Sequence, residues 1–406
     1  MKKYCAFFVA IFLLMNGLYA QMPFTMKAKK CIIPFEFHRN IMVVKAYINN
    51  KGPYRFVVDT GVNILLITDS TLKKTLHLKQ ATTLKIAGVG ENAALDAWVC
   101  YNVKIQIGKV VGENQNVAVL RTGNFDLSEY IGSPVHGIIG YSLFQNFAVT
   151  LDFPNQKIKV QQPQYFAPPK DFTKIPLQII GQKPYMQCTV WPRSQDSLQA
   201  KLLIDTGAGL ALSLEQDSIL RVPSERLRTQ IGVGLGGNIG GYLARVPKIK
   251  VANSLLNNVI ASFPDHKDLA SKRSEQRNGT IGNELLRRFV VVFNYADSCL
   301  YLKPSRKYLK QPFEHDMCGI ELIVALAKGE KTSRYFIRAV QPNSPAQEAG
   351  LTEDDEILAI NFRLAREMSV GQIDKIFHSG HEQKLLLQIA RDGEIIYKMV
   401  QLRRQI

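Results

Sequence analysis

The chain has 406 residues, with 51 Lys and Arg against 34 Asp and Glu for a formal charge of +17, and it is 46% hydrophobic and 21% charged. That composition excludes a disordered chain, a collagen and a coiled coil. At roughly 100–200 residues per domain the length predicts two or three domains, each able to bury a core of its own.

The chain opens with Met1-Lys2-Lys3 and an 11-residue apolar run ending at Met15, then Leu18-Tyr19-Ala20 as a cleavage site, which predicts a secretory signal peptide over residues 1–20. Spanning a bilayer takes about 20 apolar residues, and no later stretch approaches that length. The expectation is an exported protein, periplasmic or extracellular, able to touch a membrane surface without being integral to it. Cys5 lies inside the apolar run, so a lipoprotein-type modification is not indicated. Loss of Lys2 and Lys3 lowers the charge from +17 to +15. The basic residues (Lys272/Arg273, Arg287/Arg288, Lys307/Lys310, Arg403/Arg404) are scattered without aromatic interleaving, which predicts a solvated surface facing an anionic envelope and no nucleic-acid partner. Cys31, Cys100, Cys188, Cys299 and Cys318 are odd in number and form no C-x-x-C pair, so neither a disulfide scaffold nor a zinc site is expected.

Four blocks recur in one order. Phe56-Val57-Val58-Asp59-Thr60-Gly61 returns as Leu202-Leu203-Ile204-Asp205-Thr206-Gly207 at an offset of 146. The glycine-bearing stretch from Lys85 to Gly90 corresponds to Gln230–Gly234. Gly137-Ile138-Ile139-Gly140 returns as Gly279-Thr280-Ile281-Gly282, and Val149–Phe153 as Val291–Tyr295, both at an offset of 142. This order argues for a duplicated unit. Short β-branched runs at Met42–Ile48, Tyr54–Val58, Val103–Ile107 and Ile158–Gln161 predict strands. The apolar runs flush against Asp59 and Asp205 predict buried strands that deliver each Asp-Thr-Gly to a turn, where glycine lets the backbone bend sharply. Pro163–Pro169 predicts a linker between the units and Pro304–Pro312 a second one.

After the second linker the pattern changes. Strands around Cys318–Leu322, Tyr335–Val340 and Asp355–Asn361 are separated by one short helical piece, and a second helix is expected at about Val370–His378. A hairpin of Lys384–Ala390 with Ile395–Leu402 turns at Asp392-Gly393.

Two Asp-Thr-Gly triplets, one per repeat, place two carboxylates near a pseudo-twofold axis if the units pack symmetrically, and there the sequence resembles the aspartic proteases. The resemblance covers residues 33–304. It rests on the two triplets, on flap candidates Gly88, Val89 and Gly90 with Gly232, Gly234 and Leu235, and on the segments Ile138-Ile139-Gly140 and Thr280-Ile281-Gly282. Two flaps and about 140 residues per lobe resemble a fused pair of retropepsin-like subunits more than a pepsin. The resemblance implies a mainly β, two-lobed acid-protease-like β-barrel fold, with lobes over 33–162 and 170–304. It implies an endopeptidase acting on peptide or protein substrates through Asp59 and Asp205, with Thr60, Gly61, Thr206 and Gly207 supporting the loops. Like charges about 3 Å apart cannot both ionise, so such a pair holds one proton, one member serving as base and the other as acid. Neither Val62 nor Ala208 offers the hydroxyl that pepsin-like members place beside the carboxylate, and a dyad with one fewer hydrogen bond to its charged form is less acidic. A mildly acidic to neutral optimum is therefore expected. Val62 is also bulkier than the residue usual there.

Residues 315–406 resemble a bacterial PDZ domain, a β-sandwich or partly open barrel, through Tyr335–Val340, Pro342-Asn343-Ser344-Pro345-Ala346, Ala349-Gly350-Leu351, Asp354–Leu358 and Ile360-Asn361. Such domains add a peptide as an extra strand and hold its terminal carboxylate in a loop of backbone amides. Gly319, Ile320, Glu321 and Leu322 stand where that loop would fall, with a C-terminal peptide as the implied ligand.

One alternative keeps the lobes and the PDZ domain as a peptide-binding module without turnover. Another builds the site between two chains, whereas a dyad within one chain predicts a monomer. Gly232–Gly237 satisfies G-x-G-x-x-G but opens no helix, so it reads as a flap and not as a dinucleotide site. His378 and His381 lack further ligands at metal spacing and read as surface residues, and no metal or organic cofactor is implied.

Overall fold

The computed structural model describes residues 22–86, 88, 90, 94–121, 127–215, 220–265, 276–325 and 333–406. The expected signal peptide and the flap residue Val89 lie outside the described residues. The fold is mainly β, and the strands among the described residues form four sheets.

Each repeat builds an eight-stranded sheet, and the two sheets share one connectivity. In the first, the order runs Glu36–His38, Ile41–Ile48, Lys51–Val58, Gly137–Ile139, Leu65–Ile67, Val110–Leu120, Leu95–Ile107, Gln80–Ile86. The second follows the same path through Gln178–Ile180, Lys183–Trp191, Leu198–Ile204, Gly279–Ile281, Leu212–Leu214, Ser254–Pro264, Gly237–Val251 and Arg226–Gly234. An extra pairing in each, Ile41–Ile48 with Leu95–Ile107 and Lys183–Trp191 with Gly237–Val251, folds the sheet onto itself. Burial on both faces drives the folding: Ile41–Ile48 buries all but Lys45 and Tyr47.

A six-stranded sheet joins the lobes. The strands Lys30–Pro34, Lys157–Gln161 and Ala148–Asp152 come from the first repeat, and Phe289–Asn294, Cys299–Pro304 and Thr173–Pro176 from the second. At its centre Ala148–Asp152 pairs antiparallel with Phe289–Asn294, and Thr150 lies opposite Val292, its own counterpart in the repeat. A pseudo-twofold axis therefore passes through that pair. Beneath it Phe144, Phe293 and Tyr295 pack with ring centroids 5.2–6.1 Å apart, and Val149, Leu151, Val291 and Phe293 are fully buried. Each such side chain contributes about 1.5–3 kcal/mol through burial, so the lobes share one continuous core. The first lobe starts ahead of residue 33, since Phe24 and Met26 are buried in that core and Thr25 pairs with Val111.

The second linker is strapped down. Arg288, 1% exposed, donates to the carbonyls of Tyr308, Leu309, Gln311 and Pro312 and stacks on Phe313 at 3.5 Å. A buried guanidinium has to be hydrogen-bonded, and the linker backbone supplies the acceptors.

The C-terminal sheet has a separate core around Leu322, Ile337, Ile357, Ile373, Leu387 and Val400. Its strand order is Ile320–Ala325, Arg334–Val340, Glu356–Ile360, Lys384–Arg391, Glu394–Gln401, with Ile320–Ala325 at one edge. The helix Val370–Phe377 begins in a Ser369/Gln372 capping box. Asp392 and Gly393, both with positive φ, make the two-residue turn of the final hairpin. His378 departs from the expected surface position: it is half-buried, with its Nδ1 on the Asp374 carbonyl. All five described cysteines are free and buried. No helix among the described residues is long and apolar enough to cross a membrane.

Candidate active site

Lys51–Val58 and Leu198–Ile204 each end at the interface between the lobes and present an Asp-Thr-Gly turn there. The parallel neighbours Gly137–Ile139 and Gly279–Ile281 fix both turns identically. Asp59 N donates to Ile139 O at 2.9 Å, and Asp205 N to Ile281 O at 2.9 Å. Gly140 and Gly282 lie beneath the turns, where a Cβ would come 2.3 Å from Asp59 O and 2.6 Å from Ala208 O. Only glycine lets the two segments approach so closely, which is why the apolar-apolar-Gly blocks recur. The Val62 amide meets Asp59 O at 3.3 Å and that of Ala208 meets Asp205 O at 3.3 Å, so the bulkier Val62 leaves the first turn's geometry unchanged.

Thr60 and Thr206 are fully buried and clasp each other's loops. The Thr60 Oγ1 hydroxyl donates to Ile204 O at 2.6 Å and accepts from Thr206 N at 3.0 Å. Reciprocally, Thr206 Oγ1 donates to Val58 O at 2.9 Å and accepts from Thr60 N at 3.0 Å. These four bonds tie one turn to the other with no charged group involved.

The carboxylates are thereby brought together. Asp59 Oδ1 accepts from Gly61 N at 2.7 Å, and Asp205 Oδ1 from Gly207 N at 2.8 Å. A Cβ on Gly207 would lie 2.3 Å from both Cγ and Oδ2 of Asp59, and one on Gly61 would lie 3.2 Å from Asp205 Oδ2. Each carboxylate therefore reaches over the opposite lobe's glycine. Both aspartates are half-buried. Burial, then the charge of Asp205, then a hydrogen bond with it push the Asp59 carboxyl well above its ordinary range, opposed by the Gly61 amide and Lys183. The pair is thus built to keep a proton where two isolated carboxylates would have none.

The flap candidates occupy two hairpins. Arg226–Gly234 and Gly237–Val251 pair down to Gly234 opposite Gly237, which puts Leu235 and Gly236 in the turn. Gly232 lies within the strand beside a register shift, with open space around it. In the first lobe Gly88 and Gly90 abut that tip: a Cβ on Gly88 would come 2.3 Å from Leu235 Cβ, and one on Gly90 2.5 Å from the Gly236 carbonyl carbon. Val233 and Leu235 pack against the first lobe's cluster of Ile41, Val57, Leu66 and Ile138.

The PDZ candidates lie on the C-terminal sheet. Gly319, Ile320, Glu321 and Leu322 stand at the start of the edge strand Ile320–Ala325, and Gly319 has φ +86°.

Residue pattern alone did not expose Asn283. Its Nδ2 donates both to Thr206 O at 2.6 Å and to Asn40 O at 2.7 Å, which ties the second turn to the hairpin at Arg39-Asn40. Its position after Gly282 in a repeated block was the available signal. Among the described residues no group of three His, Cys, Asp or Glu is placed to hold a metal ion.

Comparison with known families agrees with this geometry for two stretches. Residues 44–143 match the aspartyl protease model and residues 336–391 a PDZ domain model. No curated protein matches the chain. The second lobe lies outside the first match and is tied to it by its identical strand order and turn geometry. The chain carries an aspartyl protease domain that includes Asp59-Thr60-Gly61, and a C-terminal PDZ domain.

Proposed function

We propose that this protein is an exported aspartic endopeptidase of retropepsin-like build, with a first lobe that begins ahead of residue 33 and runs to 162, a second over 170–304 and a PDZ domain over 315–406. The observation that carries the reading is the reciprocal Thr60/Thr206 clasp, which sets two carboxylates from two lobes side by side within one chain.

The dyad holds one proton and one negative charge. Its ionised carboxylate takes a proton from a water lying between the aspartates, and the water oxygen attacks the scissile carbonyl carbon. The protonated carboxyl gives its proton to the carbonyl oxygen as negative charge develops there. The tetrahedral diol then collapses: the C–N bond breaks, the amide nitrogen takes a proton from the dyad, and one diol hydroxyl returns a proton to the pair. The products are a carboxylic acid and an amine, and the dyad ends with the single proton it began with. The proton belongs to the pair. The hairpins carrying Gly88 and Gly90 and Leu235 and Gly236 close over an extended substrate and exclude water.

The test is cleavage of a mixed peptide library from pH 3 to 8 by the chain lacking residues 1–20. Cutting with a mildly acidic to neutral optimum supports the reading. A folded protein that cuts nothing at any pH is a peptide-binding module, and an optimum below about pH 4 contradicts the proposed proton affinity.

A further inference from the structure

A PDZ domain receives a peptide along a free sheet edge and captures its terminal carboxylate in a nest of backbone amides. In this chain both places are taken by the chain itself. The edge strand Ile320–Ala325 faces the helix Val370–Phe377, and the first lobe's segment 127–132 enters between them. There Gly132, at φ +72°, lies so close that a Cβ would come 2.9 Å from Val370 Cγ1 and 3.1 Å from Val324 Cγ2.

Arg39 bolts the segment in place. Its side chain, 11% exposed, pairs through Nε and Nη2 with both oxygens of Asp374 on the helix wall, at 3.0 and 3.2 Å. Its Nη1 donates to Leu322 O on the strand wall at 3.0 Å and to Tyr130 O in the inserted segment at 2.9 Å. The Leu322 carbonyl belongs to the edge strand, the element along which a docked peptide would form its ladder. The amide nest is filled as well, because the Asp316 carboxylate accepts from Cys318 N at 3.0 Å, from Ile320 N at 3.1 Å and from Gly319 N. The same face of the domain also holds the second lobe's flap. Gln341 Nε2 donates to Thr229 Oγ1 at 2.6 Å, and Gln230 Nε2 approaches Glu321 Oε1 at 3.4 Å, both partners lying on the strand that leads to the Leu235-Gly236 tip.

We infer that the PDZ groove is latched in cis, by the first lobe through Arg39 and Gly132 and by the domain's own Asp316, and that a peptide ending in a free carboxylate opens the latch by competing for the groove. Opening frees the flap strand from the domain. This second limb rests on the peptidase reading, and it makes PDZ occupancy an activating signal: the latched state holds the flap down over the dyad, and the released state admits substrate.

The latch is tested by binding, which needs no turnover. The probe is an immobilised random heptapeptide pool with free C-termini, with the same pool amidated as control. The proteins are full-length chains carrying Asp59→Asn, alone or with Arg39→Met or Asp374→Ala, which break the same ion pair from the lobe side and from the helix wall. Loss of a bidentate charge-assisted pair should raise retention on the free-carboxylate pool at least about tenfold, with no gain on the amidated pool. Hydrogen exchange at residues 320–325 should quicken in both variants and show that each is otherwise folded. Equal retention of the parent and the variants overturns the latch, as does retention that ignores the carboxylate. With Asp59 intact, Asp374→Ala should cleave the peptide library faster than the parent. An unchanged rate in a variant that binds the pool overturns the flap limb alone. A parent and variant that both fail to cleave anything overturn the peptidase reading and the flap limb with it, and leave the latch standing on its binding result.

Discussion

Replacing Thr60 by Val removes the hydroxyl and keeps the shape. Two buried backbone groups of the opposite lobe then lose their partners, Thr206 N at 3.0 Å and Ile204 O at 2.6 Å. Each orphaned buried group costs about 1–3 kcal/mol, so the substitution should destabilise the chain by about 2–6 kcal/mol. Thr60→Ser keeps both bonds and loses one buried methyl, worth about 0.8 kcal/mol. Urea unfolding of the three proteins reads the difference as a shift in midpoint at constant slope. Under the proposed activity, cleavage should follow the clasp: a displacement on the order of 1 Å at the turns costs about a hundredfold in rate, so Thr60→Val should be nearly silent where Thr60→Ser is active. Thr206→Val should behave alike, because it orphans Thr60 N and Val58 O. Equal midpoints for Thr60→Val and Thr60→Ser would refute the clasp as the link between the lobes.

Asp59 offers a test through pH. Its carboxyl binds a proton more tightly folded than unfolded, so it costs nothing below the unfolded value of about 3.9, an increasing amount as pH rises toward the folded value, and a constant amount above that. Asp59→Asn should therefore leave the melting temperature unchanged at pH 3 and raise it at pH 7, and equal shifts at both values would contradict the raised proton affinity. The glycines separate loop support from flap position. Gly207→Ala drives a Cβ to within 2.3 Å of Asp59 Cγ and should abolish cleavage, whereas Gly232→Ala meets nothing within 4 Å and should leave cleavage near the parent rate. A peptide assay on the two purified proteins checks the contrast.

Features that depend on local pattern or on the repeat were legible in the sequence. The apolar runs before Asp59 and Asp205 became the expected strands, and the recurring glycines became the close approaches beneath each turn. Strand ends were less so. The strand containing Val103–Ile107 starts at Leu95, because pairing with Gln80–Ile86 on one side and Val110–Leu120 on the other extends it through a stretch with no clean alternation. The first lobe's early start at Phe24 was hidden because one residue's burial leaves no periodic trace. Least visible were the long-range polar ties. Arg39 meets Asp374 across 335 positions, and Asn283 meets Asn40 across 243. Neither hydrophobic period nor spacing encodes such a partner, because each bond exists only once separate domains have docked.

Under the proposed function one chain supplies both halves of one dyad. The decisive measurement is the cleavage rate on a single library-derived peptide for the parent, Asp59→Asn, Asp205→Asn and an equimolar mixture of the two variants, with the parent followed through serial dilution. The parent should be active with a specific activity that holds on dilution, and both variants and their mixture should be silent. Recovery of activity in the mixture would place the site between two chains, and parent-like cleavage by either single variant would show that the two carboxylates do not act as a pair.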